Sequence, residues 1–202
     1  MTGEERIIAA VGHMEPDRVP YDLSGTTVTS ITRNAYYRAM QFRGLSPETD
    51  PMEVDPVQQI VTPSESNLRI LGSDTRRIGA CRIPGYPEQK IQKGTVSEVT
   101  DFYGCKWQMD SSRDHYFNQI SYPLMDSDVL SGSLQRLYRV NWSDYTNTLF
   151  SDLSVQIEKV GDNCCIADRN TAGFTENSLR IRGYEKWFLD TLIDLPGVEA
   201  LL

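Results

Sequence analysis

The sequence has no long apolar run. Its unbroken hydrophobic stretches span only a few residues, far short of the roughly 20 that a membrane-spanning helix requires. The opening Met1-Thr2-Gly3-Glu4-Glu5-Arg6 has neither the basic nor the apolar region of a signal peptide, so the cytoplasm is the expected compartment. Positive charge is scarce. Twenty Lys and Arg face 28 Asp and Glu for a net charge of -8, a sign that repels phosphate backbones. Arg76-Arg77 and Arg180-Ile181-Arg182 are the densest basic clusters, and as separated pairs they read as solvated or structural arginines. No nucleic-acid partner and no membrane partner are therefore expected. Histidine is limited to His13 and His115, and cysteine to Cys81, Cys105, Cys164 and Cys165. No Cys-x-x-Cys occurs and neither histidine stands at ligand spacing from a thiol, so no zinc site is expected from this chain. Adjacent cysteines rarely bridge each other, so reduced thiols are expected, two of them in a buried strand. Internal repeats and low-complexity tracts are also missing.

What remains is a globular composition, 39% hydrophobic and 24% charged, with enough apolar material for a packed core. Residues 4–12 read as a helix with Ile7, Ile8 and Val11 on one side. A turn follows through His13 and Pro16 to Arg18, then a short strand over 19–23. Ile31, Ala35, Ala39 and Phe42 recur at helical spacing, predicting an amphipathic helix over 30–43 that ends at Gly44. Asp55 before Pro56 fits a helix N-cap with proline in the first turn. A further helix should start at Ser64 and stop at Gly72, followed by a strand over 74–80.

Residues 81–123 differ in character. Thr95 to Thr100 alternates as a strand does, and Cys105 to Met109 could pair with it through a turn at 101–104, so a β-hairpin insertion is predicted. Helical signals return with Leu149, Leu153, Ile157 and Val160 on one face, closed by Gly161. Cys164 to Asp168 reads as a buried strand and 170–173 as the loop leaving it. Ile181, Tyr184, Phe188, Leu192 and Leu195 form one more apolar stripe, broken by Pro196-Gly197, and a last helix begins at Val198. Strands separated by helices argue for β/α units. Three convincing core strands in 202 residues fall short of an eight-unit barrel, which takes about 250 residues.

The order of these segments resembles a known family. Ala9-Ala10-Val11-Gly12-His13-Met14-Glu15-Pro16-Asp17-Arg18-Val19-Pro20 is similar to the N-terminal signature of the uroporphyrinogen decarboxylase superfamily, especially its corrinoid-dependent methyltransferase-like branch. Asp55-Pro56-Val57-Gln58-Gln59 followed by Leu71-Gly72-Ser73-Asp74-Thr75-Arg76-Arg77 agrees in order and spacing. Asp101-Phe102-Tyr103-Gly104-Cys105-Lys106-Trp107 resembles the family's Asp-x-x-Gly-x-x-Trp hairpin, and Leu179 to Glu185 resembles the helix after a central barrel strand. The resemblance implies an α/β chain forming part of a TIM (β/α)8 barrel, with N-terminal helices and the hairpin insertion, corresponding to the family's first half or slightly more. It implies ligands at the carboxyl ends of the strands and a corrinoid protein as partner. Zinc is expected only in a full-length methyltransferase-type relative, whose His and Cys ligands lie in a region absent here.

Two departures weigh against decarboxylation of uroporphyrinogen. True decarboxylases carry an arginine-rich loop after the first strand, where this chain has Ser24-Gly25-Thr26-Thr27. Where they place a pocket aspartate, this chain has Gln59, a neutral amide unable to counter charge on a protonated pyrrole. The expected site residues are Gly25, Thr26 and Thr27 after the first strand, Gln59, and Thr171, Gly173 and Glu176 after the strand at 164. In a barrel these loops face the ligand. The ordinary alternatives are a capped strand-to-helix turn for the first group and a dipole-favoured helix N-terminus for the last. His13 reads as structural and His115 as exposed or lining a lid. Asp17-Arg18 and Asp74-Thr75-Arg76 read as ion-paired turns, and the aromatics Tyr36, Tyr37, Trp107, Tyr116, Phe117 and Tyr122 as packing. Three functions stay open: the substrate-binding front of a methyl-transferring barrel, inactive by itself; a cofactor-free tetrapyrrole decarboxylase; and a non-catalytic module that works with a partner chain. A small-molecule substrate and self-association through uncovered strand edges are expected.

Overall fold

The computed structural model describes residues 1–79, 88–126, 143, 147, 151–167 and 173–202. The expected strand end at Ala80, Cys81, the helical position Leu149 and the loop residue Thr171 lie outside the described residues. The chain divides into two compact units, Met1–Arg82 with Asn147–Asn170, and Ile83–Thr146 with Thr171–Leu202.

In the first unit, helix α1 (Gly3–Val11) opens with a reciprocal cap. The Thr2 hydroxyl accepts from the Glu5 N–H while the Glu5 carboxylate accepts from the Thr2 N–H, satisfying donors that a helix start leaves free. A Cβ on Gly3 would lie 2.6 Å from the Asp74 carbonyl oxygen, so only glycine lets α1 sit this close. Arg6, buried, binds Asp17 through Nε at 2.6 Å and Asp74 through Nη1 at 2.6 Å. Arg18 reaches the same Asp74 at 2.7 Å, so the pairs read as ion-paired turns in the sequence are so placed.

The predicted strand over 19–23 is extended but joins no ladder. Pro20 has no N–H, Tyr21 N donates to the Asp74 carboxylate and Leu23 N donates to Ser73 Oγ. Side chains have taken the place of backbone acceptors. Ile31–Thr32 forms β1, and helix α2 (Arg33–Phe42) starts later than predicted. The buried stripe of α2 is Tyr36 and Met40, whereas Ala35 is exposed and Phe42 is 92% exposed. Polar anchoring explains the rotation. Tyr36 donates to Glu48 at 2.5 Å, and Asn67 Nδ2 reaches both groups at 2.6 Å, which holds that face inward beside Val61.

The helix expected at Asp55–Pro56 is instead a hairpin of β2 (Met52–Asp55) and β3 (Ile60–Thr62). Asp55 does cap, accepting from the N–H groups of Val57 and Gln58. Gln59 then adopts φ 59° and turns the chain back, and tertiary pairing with β1 completes an antiparallel sheet in the order β1-β3-β2. Helix α3 (Glu65–Leu71) runs as predicted, from the Ser64 cap to left-handed Gly72. Strand β4 (Thr75–Ile78) follows. Helix α4 (Leu153–Val160) ends at Gly161 and leads to the ninth strand in chain order, β9 (Cys164–Ala167). It lies parallel to β4, pairing Thr75 with Cys164 and Ile78 with Ala167. Cys164 and Cys165 are half-buried, not buried.

The second unit holds a four-stranded antiparallel meander, β5 (Gln89–Lys93), β6 (Val96–Thr100), β7 (Lys106–Asp110) and β8 (Asn118–Ser121). The predicted hairpin is its β6–β7 pair. Asp101 shapes the turn: Oδ1 accepts from the N–H groups of Tyr103 and Cys105, and Oδ2 from the Trp107 indole at 2.9 Å. Gly104 at φ 84° makes the reversal. The Asp-x-x-Gly-x-x-Trp pattern is thus a turn lock. Burial pushes the Asp101 carboxyl up, against the pull of these donors.

The single stripe predicted from Ile181 to Leu195 is cut in two at Gly183. Helix α5 (Phe174–Arg182) and helix α6 (Tyr184–Ile193) meet where Gly183, at φ 84°, lies under the Tyr122 ring. Ile181 is buried beside Leu124 and Val198, but Tyr184, Phe188, Leu192 and Leu195 are exposed. Inward on α6 lie Trp187, packed against that cluster, and Asp190, which binds Arg182 at 2.5 Å while Arg182 also donates to the Leu124 carbonyl. Pro196-Gly197 does not break a helix. It forms the first turn of helix α7 (Leu195–Leu201), capped by Asp194 on Gly197 N, where a missing proline N–H costs nothing.

Among the described residues the fold is mixed α/β, with seven helices and three small sheets, and no closed barrel is present among them. No described helix is long and apolar enough to cross a membrane.

Candidate functional site

The polar loop expected at Gly25–Thr27 rests, in the first unit, against the β4–β9 pair. Alternate residues of a strand share a face, so Thr75 and Arg77 of β4 both present toward this loop. The Asp22 carboxylate accepts from the Gly25 N–H at 2.9 Å and, through the same oxygen, from the Thr75 hydroxyl. Gly25 fits with no room to spare. A Cβ there would lie 2.4 Å from Asp22 Oδ1, 2.8 Å from Thr75 Oγ1 and 2.8 Å from Ile166 Cδ1. Thr26 and Thr29 share a hydroxyl contact of 2.9 Å, Ser30 Oγ donates to the Thr26 carbonyl at 2.6 Å, and Ser24 N donates to the Thr29 carbonyl. The loop is laced to itself and keeps its shape without a ligand.

Two features stand out. Ser24 is 1% exposed at φ 68°, and its hydroxyl has no hydrogen-bond partner among the described residues. A strained backbone and an unsatisfied buried hydroxyl each cost about 1–3 kcal/mol, and such costs gather where a ligand supplies the missing partner. Arg77 Nη2 donates to Thr27 Oγ1 at 3.3 Å. That contact brings the charge of a guanidinium to the end of the loop. One guanidinium and a short run of hydroxyls suit a small polar or singly anionic ligand.

The remaining expected residues fall elsewhere. Gln59 stands in the β2–β3 turn, where its carbonyl accepts from Arg33 N. Gly173 and Glu176 belong to the second unit. Gly173 precedes α5, and Glu176 lies in its first turn paired with Arg180, the place a helix dipole favours for a carboxylate. His13 and His115 are exposed. Sequence reasoning missed Asp22, Ser24, Thr75 and Arg77. The signals for them were the carboxylate immediately before the loop and the Thr-x-Arg alternation on β4.

Cys164 pairs with Thr75 across the ladder, and burial, with the charges of Cys165, Glu4 and Asp22, pushes its thiol up. It is a poor nucleophile as placed. Among the described residues no group of three or more His, Cys, Asp and Glu side chains could hold a metal ion.

The candidate site thus belongs to a mixed α/β chain, where a polar loop packs against a parallel strand pair. Comparison with protein-family models, with curated proteins and with solved structures finds no match to this chain.

Proposed function

We propose that this chain derives from the corrinoid- and zinc-dependent methyltransferase-like branch of the uroporphyrinogen decarboxylase superfamily, and that its Ser24–Thr27 loop holds a small-molecule substrate. The observation that carries the reading is the loop's charge. It meets Arg77 through Thr27, holds the Asp22 carboxylate on Gly25 N–H and the Thr75 hydroxyl, and otherwise offers hydroxyls, a set that suits at most one carboxylate or similar group. A porphyrinogen, with its many carboxylates, asks for a cluster of cations. In the relatives this reading invokes, zinc turns a thiol acceptor into a thiolate nucleophile at neutral pH. The residues of this chain would bind and orient the acceptor. Arg77 brings positive charge to the loop through Thr27, and the Ser24 hydroxyl, without a hydrogen-bond partner among the described residues, gains one from the ligand.

Calorimetric titration with 3-mercaptopropionate, a thiol bearing one carboxylate, tests the reading. Binding should weaken at least tenfold in Arg77→Met and Gly25→Ala, since one charge-assisted hydrogen bond contributes about 1.5–3 kcal/mol. Firm binding of a uroporphyrin-type tetrapyrrole with no response to the thiol acid would favour decarboxylase ancestry instead. Failure of both ligands would leave the non-catalytic module.

A further inference from the structure

We infer that the outward face of α6, continued by Leu195 at the start of α7, is the contact surface between two copies of this chain. An amphipathic helix ordinarily turns its apolar stripe to the core. Here the inward side is shared by Trp187, packed against Leu124, Ile181 and Val198, and by Asp190, 3% exposed and ion-paired with Arg182, although burying a charge pair brings a desolvation cost that an apolar contact would not. Six other apolar residues are left outside: Tyr184 is 52% exposed, Phe188 58%, Leu189 51%, Leu192 82%, Ile193 78% and Leu195 53%. At 100° per residue the α6 members cover about half of the helix circumference.

Size separates this face from ordinary surface. The six side chains expose roughly 700 Å², above the roughly 300–600 Å² of the largest patch on a typical monomer and close to the ~800 Å² each partner contributes to a stable dimer. Charge limits where a second copy can sit. A chain of net charge -8 repels itself over most of its surface, so self-contact requires a charge-poor strip. Glu185 is the acidic residue in the first turn of α6, at the end away from Leu192 and Ile193. With α6 antiparallel to its copy about a two-fold axis, the two Glu185 carboxylates fall at opposite ends of the contact. The strip then meets itself without apposing like charges, as an isologous interface demands. Tyr184 and Phe188 are the large aromatics of the strip, the type that anchors such contacts.

Sedimentation equilibrium of the full chain over a range of micromolar concentrations tests this. The expected species has twice the 22.9 kDa chain mass, and Leu192→Glu with Ile193→Lys should give a monomer with an unchanged far-UV circular dichroism spectrum. Both positions are exposed, so the folded unit should survive the change. Val11→Glu, on the exposed side of α1 at 75%, should leave the dimer intact. A monomeric parent chain would overturn the inference. So would a dimer indifferent to the α6 substitutions, or open-ended association abolished by Val11→Glu.

Discussion

Replacing Asp101 by alanine should unlock the β6–β7 turn, and the size of the effect follows from three hydrogen bonds. The carboxylate accepts from Tyr103 N at 3.0 Å, Cys105 N at 2.9 Å and Trp107 Nε1 at 2.9 Å. Cys105 is fully buried and Trp107 is 9% exposed, so water cannot readily replace the lost acceptor at either. Two buried orphan donors at about 1–3 kcal/mol each would set the loss. Removing a carboxylate that burial disfavours returns part of it. The net expectation is a destabilisation of about 2–4 kcal/mol, read as a lower midpoint in urea unfolding followed by tryptophan fluorescence. Asp101→Asn should lose less, because its amide oxygen can still accept from the two backbone donors. The pH dependence supplies an independent check. A carboxyl raised in the folded state binds its proton more tightly there than when unfolded. Its contribution is therefore fully present below the ordinary aspartate value, about 3.9, and is lost as pH rises through the raised one. Asp101→Asn should remove that component from the stability–pH curve. An alanine variant within about 0.5 kcal/mol of the parent, the range of an ordinary surface change, would refute the turn-lock reasoning.

Three further outcomes follow from other parts of the structure. Gly183→Ala should destabilise the second unit by at least about 1–3 kcal/mol, because its Cβ would lie 2.4 Å from Tyr122 Cζ at φ 84°; thermal unfolding measures it, and an unchanged midpoint would show that the ring moves freely. In the first unit, hydrogen bonding to Arg6 holds the Asp17 carboxyl well below its usual range, and Asp74 is lowered as well, by the Tyr21 N–H and by Arg18 and Arg6 against the opposing effect of burial. The stability these groups give is present above the ordinary aspartate range and lost as pH falls through the lowered values, so Arg6→Met should flatten the acid limb of the unfolding curve. Burial, aided by the Asp101 charge, pushes the Cys105 thiol up to about 12. Peptide mapping after iodoacetamide treatment of the native chain should therefore find Cys105 unmodified under mildly alkaline conditions, and labelling it as fast as the half-buried Cys164 would contradict its burial.

Much of the first unit's local structure was legible in the residue order. Ser64 and Gly72 bracket α3 because cap chemistry acts within one turn, and Thr2 with Glu5 does the same for α1. The β6–β7 hairpin could be read from alternation and a glycine-containing turn. The half of the candidate site at Gly25–Thr27 was visible as a polar loop after an extended segment. Asp22, Thr75 and Arg77 were not, because what makes them a site is contact across some 50 positions of sequence. The Asp55 error is instructive in the same way. An aspartate accepting from the N–H groups two and three residues on serves a helix start and a tight turn equally, and the partner strand β1 chose between them.

The sequence by itself determined the two ends of α3, the Gly12 end of α1 and the β6–β7 turn, since capping residues and glycine act on the nearest few bonds. It also determined the sign of the surface charge and the polar character of the loop. Only the tertiary structure decided which face of each helix turned inward. On α2 a tyrosine bonded to Glu48 and Asn67 displaced the apolar stripe, and on α6 the Arg182–Asp190 pair did so. The physical reason is that hydrophobic burial is non-directional and tolerates rotation of a helix. A buried hydrogen bond or ion pair has one geometry and forfeits kilocalories when it is missed.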